Sequence, residues 1–342
     1  MVKMAKKLTF GTAIADWQER INVERMRGER AEKVRKVLKK HGVAAILAAR
    51  PDNTRYLTGL RGAEFLPQLW YVLFFAEHDP VVFLHAGWYH NYPQEAPWIK
   101  HWRLARNWVN EGCGPEATEK EVALFAEGVH RELAERRLLG EKLAVVGFDG
   151  TSTQALSAKG INVTKGWPLM LEATKIKTVD EINCLKMAYA ITDAAWNKTW
   201  ELLKPGADEV DVAHEAMLAA YKAGADMVPR GHMRTGPNCF DRGIDHTGRH
   251  VNHGDLAYAA FCGVGYMGYH TCYYRTFSVG KAPDRKVQDW YKGLIERIDA
   301  LIETIKPGAT TADAARHFPP ASKWGYSDEA DLLTMEIGHG IG

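Results

Sequence analysis

The chain has 342 residues, of which 46% are hydrophobic and 25% are charged, as in a globular protein with a substantial core. Its 44 Lys and Arg residues nearly balance 42 Asp and Glu residues, for a formal charge of +2. This balance predicts no nucleic-acid partner and no binding to an acidic membrane surface. We therefore expect a small-molecule or short peptide substrate.

Three features of the sequence predict a cytoplasmic protein with reduced thiols. No run approaches the roughly 20 apolar residues of a membrane span. The basic segment Met1–Lys7 is followed by Leu-Thr-Phe-Gly-Thr, without the apolar stretch of a secretory signal. The cysteines are odd in number and scattered, which argues against a disulfide framework. They are Cys113, Cys184, Cys239, Cys262 and Cys272.

The first half of the chain alternates helical and strand patterns. Apolar residues recur at a helical period in Arg20–His41, and a second long helix is predicted at Glu116–Arg137. Short apolar runs between and after them predict strands at Val43–Ala49, Tyr71–Phe75, Pro80–Leu84 and Lys142–Gly147. This alternation predicts an α/β domain over residues 1–165, followed by a linker at 166–175.

In the second half, the same four residues, Lys-Pro-Gly-Ala, occur twice between predicted helices. Thr178–Glu181 has the pattern of a capping box that opens a helix. Lys204-Pro-Gly-Ala ends this helix, and another helix follows through about Lys222. Lys306-Pro-Gly-Ala recurs between predicted helices at Asp289–Ile305 and Ala312–Arg316, which suggests an internal structural repeat.

Between the two helical units, Asp255–Phe261 and Tyr269–Val279 have the composition of paired strands. The intervening Gly263–Gly268 is predicted to be the turn that joins them. Antiparallel strands flanked by helices predict an α+β domain over residues 176–342.

Five motifs, in this order, resemble those of the Xaa-Pro peptidase/creatinase family, which includes the methionine aminopeptidases and has the pita-bread fold. They are Pro51–Gly59 (PxNIRYLTG in the family), Lys175–Ile182 (IK…DEI), Thr235–Asn238 (SGPN), Gly254–Gly280 (GDL…GY…RTF.VG) and Gly338–Gly342 (GHGIG). The resemblance implies a creatinase-type α/β amino-terminal domain and an α+β pita-bread catalytic domain. Whole members continue past GHGIG, so the catalytic domain is expected to be incomplete at its C-terminal end.

The resemblance also implies a metal site, but this sequence departs from it. Metal-dependent members hold two divalent ions between two aspartates, one histidine and two glutamates, and the ions activate a bridging water. By position His339 matches the histidine, whereas the two aspartates fall at Ala260 and Cys272. The glutamates are expected beyond Gly342. We therefore expect no metal cofactor. A divalent Mn, Fe, Co or Zn ion, bound by His339 with Cys272 as a possible second ligand, is the alternative.

Histidines are dense around the altered positions, and imidazoles are the usual acid–base groups where no metal activates water. His270 alternates with Cys272 and Tyr274 on a predicted strand, so the three are expected to share one face. His246 lies three residues after Gly243, the position at which the resemblance places creatinase's catalytic histidine. The catalytic candidates are His339, His270 and His246. The pocket candidates are Cys272, Cys262, Tyr269, Tyr274, Arg275 and His232.

Two interpretations of the cysteines remain open. Cys262 and Cys272 stand where the family places ligands, and a thiolate binds soft metals or acts as a nucleophile. Alternatively, both are small apolar replacements that fill an abandoned metal site.

The leading functional hypothesis is a family hydrolase that cleaves a C–N bond of a small substrate without the dinuclear metal site. A metal-dependent Xaa-Pro aminopeptidase or dipeptidase with atypical ligands is one alternative. A dimethylsulfoniopropionate-lyase-like enzyme is another, since the stretch Asp255–Gly280 matches that branch in length. A non-catalytic family member is the third. The resemblance also implies a homodimer.

Overall fold

The computed structural model describes residues 20–61, 69–87, 89–90, 92–108, 112–240, 246–332 and 338–342. The basic segment Met1–Lys7 lies outside these ranges. Two compact units meet in sequence between Lys186 and Met187. No helix among the described residues is long and apolar enough to cross a membrane. The segment predicted as a linker, 166–175, contains the helix Trp167–Thr174 and falls within the first unit.

The amino-terminal unit alternates strands and helices, as the sequence predicts. Its helices are α1 Val23–Lys40, α2 Pro51–Thr58, α3 Tyr92–Glu95, α4 Pro115–Glu135, α5 Gly150–Ala158 and α6 Trp167–Thr174. Its strands are β1 Ala45–Ala48, β2 Trp70–Phe75, β3 Val81–Leu84, β4 His101–Leu104, β5 Lys142–Val146 and β6 Asn162–Lys165.

The six strands form one mixed sheet in the order β4-β3-β2-β1-β5-β6. β1 pairs antiparallel with β2 and parallel with β5. Successive residues of β1 pack into different clusters: Ala45 and Leu47 on one face, Ile46 and Ala48 on the other. Burial of both faces explains why β1 and β2 have continuous apolar sequences rather than alternating ones.

The motif around Asp180 is structural. Asp180 is fully buried and accepts hydrogen bonds of 2.8 and 2.9 Å from the Arg25 guanidinium and one of 2.9 Å from the Asn22 backbone. Thr178 and Glu181 form the predicted capping box: the Thr178 N–H donates to Glu181 Oε2 at 2.7 Å, and the Glu181 N–H donates to Thr178 Oγ1 at 3.4 Å. The IK…DEI motif thus joins the start of α1 to the start of the helix that begins at Val179.

The carboxyl-terminal unit contains α7 Val179–Leu202 from Met187 onward, α8 Glu209–Ala223, α9 Arg285–Thr304, α10 Thr311–Ala315 and α11 Glu329–Leu332. Both Lys-Pro-Gly-Ala segments form the same turn, since the Ala207 N–H donates to Lys204 O and the Ala309 N–H to Lys306 O, each at 3.0 Å. Gly206 and Gly308 have φ of +89° and +94°. Proline followed by such a glycine is typical of a type II turn.

Three antiparallel strands complete this unit: β7 Arg230–Thr235, β8 Leu256–Tyr266 and β9 Tyr269–Ser278. The turn between β8 and β9 is shorter than predicted, because β8 extends to Tyr266. Met267 and Gly268 alone turn the chain, with φ of +53° and +81°. Gly263 is a bulge where the register shifts between Cys262 and Val264.

One face of this sheet packs on the helices. Phe261 lies edge-on to Trp196 of α7, with ring centroids 4.6 Å apart. Tyr273 donates to Asp193 at 2.8 Å, and Thr271 hydrogen bonds with Thr192 at 2.8 Å. Because side chains alternate along a strand, the even-numbered residues of β8 and β9 near Cys262 and Cys272 face away from this core.

Candidate functional site

The face of the sheet away from the helices carries two cysteines directly opposite each other. Cys262 on β8 and Cys272 on β9 are register partners, and their Sγ atoms lie 3.1 Å apart. Both side chains are half-buried, and both are free thiols. Each therefore retains access to solvent while lying within hydrogen-bond distance of the other.

Aromatic and imidazole side chains extend this face. The hydroxyl oxygen of Tyr274 lies 3.9 Å from the Cys272 sulfur. The Tyr274 ring stacks on that of Tyr258, with centroids 5.8 Å apart. His232 on β7 is the register partner of Ala260, and its ring lies 6.0 Å from that of Tyr258. Tyr274 is 42% exposed, whereas His232 is 8% exposed. This face is thus exposed to solvent at Tyr274 and buried at His232.

His339 reaches this face and hydrogen bonds with Cys272. Partial burial would raise the pKa of the Cys272 thiol, but hydrogen bonds with Cys262, His339 and Tyr274 and the nearby imidazole charge outweigh it, so this pKa is lowered. The pKa of Tyr274 is raised, by burial first and then by the two thiols. Tyr274 therefore remains a neutral phenol. His339 itself is exposed, and its Nδ1 lies 2.7 Å from Gly340 O.

The donors on this face do not fit the dinuclear metal centre that the family implies. Ala260 is fully buried and offers only a methyl group at the position where the resemblance places a carboxylate. Cys272 offers one soft sulfur, whereas a pair of hard divalent ions needs several oxygen ligands. Within the described ranges, no group of three His, Cys, Asp or Glu side chains is placed to hold a metal ion.

Tyr269 and Arg275 are not brought to this face. Both alternate with Cys272 and Tyr274 along β9, on the side of Thr271 and Tyr273. Tyr269 is 3% exposed, and Arg275 lies over the rings of Trp196 and Tyr273, 5.9 and 5.6 Å from their centroids. Their pattern in the sequence matched the family, but strand alternation separates them from the cysteines.

His270 lies beyond the bulge, next to a carboxylate. A Cβ placed on Gly265, its partner on β8, would be 2.6 Å from Asp226 Oδ1 and 3.0 Å from His270 Nε2. The other oxygen of Asp226 accepts from the Gly268 N–H at 3.1 Å. Glycine at 265 therefore lets the imidazole and the carboxylate approach the strand at the hairpin end of the sheet.

His246 lies next to a different histidine. Its ring is edge-on to that of His214 on α8, with centroids 4.9 Å apart. Its Nδ1 is buried and has no hydrogen-bond partner among the described residues. Gly243, the creatinase-like position, lies outside the described residues. Among the described residues, His246 contacts His214 rather than Cys272 or His339.

A buried network explains two further family motifs. Glu209, fully buried at the start of α8, accepts from the backbone and hydroxyl of Thr235 at 2.8 and 2.5 Å, and from those of Thr247 at 2.9 and 2.6 Å. Arg249 donates to Thr235 at 2.6 Å and to Asp255 at 2.5 and 3.2 Å. The motifs that begin at Thr235 and Gly254 thus meet in one network that fixes the ends of β7 and β8.

Sequence reasoning missed Tyr258 and Asp226. Tyr258 alternates with Ala260 and Cys262, so the period of two along β8 was a signal that placed it on the site face. Asp226 precedes β7 in a segment without a motif, and only the fold brings it to His270.

Two family models match the chain. Residues 183–342 match the model "Metallopeptidase family M24", and residues 30–160 match "Creatinase/Prolidase N-terminal domain". The chain belongs to the Xaa-Pro peptidase/creatinase family. Its fold is the family's creatinase-type amino-terminal domain with a pita-bread catalytic domain, as the sequence motifs predict.

Relatives in this family include a probable dipeptidase PepE from Mycobacterium tuberculosis (strain ATCC 25618 / H37Rv), 31% identical over 169 residues, or 49% of this chain and 44% of the relative. The uncharacterized peptidase YqhT of Bacillus subtilis is 30% identical over 174 residues, 49% of this chain and 46% of YqhT. These matches span less than half the length of each relative.

Solved structures of two family members share the fold. The dipeptidase PepE from Mycobacterium ulcerans has a TM-score of 0.72 and 20% identity, over 94% of this chain and 82% of that one. A prolidase from Thermococcus sibiricus has a TM-score of 0.72 and 23% identity, over 92% of this chain and 82% of that one.

Proposed function

We propose that the chain is a peptidase-family hydrolase that cleaves a C–N bond of a small substrate at the Cys272–His339 pair, without a dinuclear metal site. The supporting observation is the sheet face itself. A buried methyl group and a thiol stand at the two positions where the resemblance places aspartates, and the thiol hydrogen bonds with His339, where the resemblance places the family's histidine. Because relatives are named dipeptidase and prolidase, short peptides are the substrate class to test first.

The pair supplies a complete hydrolytic cycle. Cys272 sulfur attacks the carbonyl carbon as its proton passes to His339. The C–N bond breaks when the imidazolium returns this proton to the leaving nitrogen. A water, deprotonated by His339, then cleaves the carbon–sulfur bond and regenerates the thiol. Tyr274, as a neutral phenol beside the sulfur, is a hydrogen-bond donor toward the reacting group.

The decisive experiment compares variants with metal analysis. His339→Ala and Cys272→Ala are each expected to lower kcat/KM for a dipeptide panel by about 100-fold or more, since positioned acid–base and nucleophilic groups contribute at this level. His250→Gln, an exposed histidine of the same unit, is the matched control and should retain activity. Activity should persist in excess chelator.

A metal-dependent peptidase with atypical ligands is the second candidate, favoured by the metallopeptidase family model. It predicts stoichiometric Mn, Fe, Co or Zn by elemental analysis and Xaa-Pro turnover that chelator abolishes and added metal restores. That result, with Cys272→Ala fully active, would contradict the thiol proposal. The predicted homodimer and cytoplasmic location remain predictions.

A further inference from the structure

The two cysteines of the site face are placed for a reaction with each other. Cross-strand partners in an antiparallel pair have Cβ atoms about 4.5–5.5 Å apart, close to the range that a disulfide spans. The Sγ atoms of Cys262 and Cys272 are 3.1 Å apart. A disulfide needs about 2.05 Å, so the sulfurs must approach by about 1 Å.

The bulge after Cys262 supplies the backbone freedom for this movement. Gly263 has φ +83°, and a Cβ there would lie 2.6 Å from the Pro229 ring, so only glycine fits. The register shifts at this point, and bulges bend a strand and re-aim the preceding side chain. Because the ladder is already interrupted at this bulge, closure of the sulfurs requires adjustment at one position rather than along the whole ladder.

Chemistry also separates this pair from the other thiols. Burial raises the pKa of Cys184 to about 12 and that of Cys239 to about 11, and neither lies opposite another cysteine in the sheet as Cys262 and Cys272 do. The thiolate is the attacking species in thiol–disulfide exchange. Cys113 is exposed, but its sulfur contacts Thr118 at 3.3 Å and pairs with no other described thiol. Oxidation should therefore select Cys262 and Cys272.

We propose that Cys262 and Cys272 form a reversible disulfide and that this modification switches off the face that carries Cys272. With a low-molecular-weight disulfide such as oxidised glutathione, Cys272 attacks one glutathione sulfur and releases the first glutathione thiol. Cys262 then attacks the Cys272 sulfur and releases the second. Two electrons and two protons pass to the two glutathione molecules, and the sulfur of Cys272 is no longer available to His339.

Loss of activity on oxidation rests on the proposed hydrolase function, but disulfide formation does not. The sequence makes the bond directly measurable: trypsin cleaves after Arg249 and after Arg275, with no Lys or Arg between them. Both cysteines therefore fall in one peptide, 250–275, whereas Cys113, Cys184 and Cys239 fall in three others. Met267 lies between the two cysteines, so cleavage after it by cyanogen bromide yields two pieces that only a disulfide can join.

The test uses the full chain, reduced, then exposed to excess oxidised glutathione, alkylated and digested. Peptide 250–275 is expected to be about 2 Da lighter than its reduced form and to carry no alkyl group. After cleavage at Met267 its two pieces should remain joined until dithiothreitol is added. Cys239→Ser should behave as the parent protein. Cys262→Ser should instead carry glutathione on Cys272.

Three outcomes would overturn the proposal: separate glutathione adducts on Cys262 and Cys272 in the parent protein, unchanged alkylation of both, or a disulfide that joins either to another cysteine. Mapping of the parent protein decides this even where a variant fails to fold. A mapped disulfide in a protein whose reduced form has no peptidase activity would refute the hydrolase but not the redox site. Activity unaffected by a fully formed disulfide would refute the switch.

Discussion

The acidity of the Cys272 thiol depends on three neighbours on one face of the sheet. Cys262, His339 and Tyr274 each hydrogen bond with it and together lower its pKa despite partial burial. The sequence identified all four residues as candidates, because the family motifs surround them. It did not identify their mutual contacts, since those depend on register between β8 and β9 and on where the Gly-rich segment after Gly338 lies.

The pH dependence of alkylation tests whether the pKa of Cys272 is lowered by these neighbours. Iodoacetamide reacts with thiolate, so the lowered pKa predicts a rate midpoint for Cys272 below that of an ordinary thiol. His339→Ala removes a hydrogen bond to the thiolate and should move this midpoint upward. Cys239, whose pKa burial raises to about 11, is the internal comparison.

The measurement is peptide-resolved alkylation rate against pH. Equal midpoints for Cys272 in the parent protein and in His339→Ala would contradict the described contact. So would a Cys272 midpoint as high as that of Cys239.

Individual elements follow from the sequence more directly. The capping-box pattern at Thr178–Glu181 and the two Lys-Pro-Gly-Ala turns lie where predicted, because caps and turns depend on a few adjacent residues. The sequence predicts Gly263 as part of a turn, whereas it forms a bulge within β8. A glycine in a strand and a glycine in a turn look alike until the partner strand is known.

Glu209 illustrates an element fixed by tertiary contacts. Its buried carboxylate accepts four hydrogen bonds from Thr235 and Thr247. Glu209→Gln replaces one acceptor oxygen with a donor, which leaves a buried N–H group of Thr235 or Thr247 unsatisfied. We expect the free energy of unfolding to fall by about 2 kcal/mol.

Urea denaturation followed by tryptophan fluorescence measures this loss, with Glu215→Gln, an exposed residue of the same helix, as the matched control. A Glu209→Gln variant as stable as Glu215→Gln would mean that the network does not stabilise the strand ends.

Across the whole molecule, several carboxylates depend on cationic or backbone partners. Glu172 has its pKa lowered to about 2 by hydrogen bonds from Lys40 and then His41. For Asp180, burial alone would raise the pKa, but hydrogen bonds from Arg25 and Asn22 lower it. The pKa of Asp255, beside Arg249, is likewise lowered, although burial alone would raise it.

These shifts predict acid destabilisation. A carboxylate with a lowered folded-state pKa contributes stability that is fully present above its unfolded pKa and is lost as pH falls through the folded value. The window for Glu172 therefore runs from about pH 4.5 down to about pH 2. Glu172→Gln should be less stable than the parent protein at neutral pH and equal to it below this window.

Urea midpoints across that range check the prediction, with Glu119→Gln, an exposed residue of α4, as the control. A constant difference between Glu172→Gln and the parent protein at all pH values would contradict it.

The sequence by itself indicated the family, the long helices and the most apolar strands and, through the resemblance, the absence of carboxylates at Ala260 and Cys272, because these are encoded in ordered motifs and local patterns. It did not predict β4, β6, β7 or the helix Trp167–Thr174. Tertiary structure alone decided which candidates meet. Strand alternation and register set Cys262 against Cys272, and they turn Tyr269 and Arg275 toward the helices. Such pairings join residues that are distant in sequence, and a one-residue change of register would reverse every face.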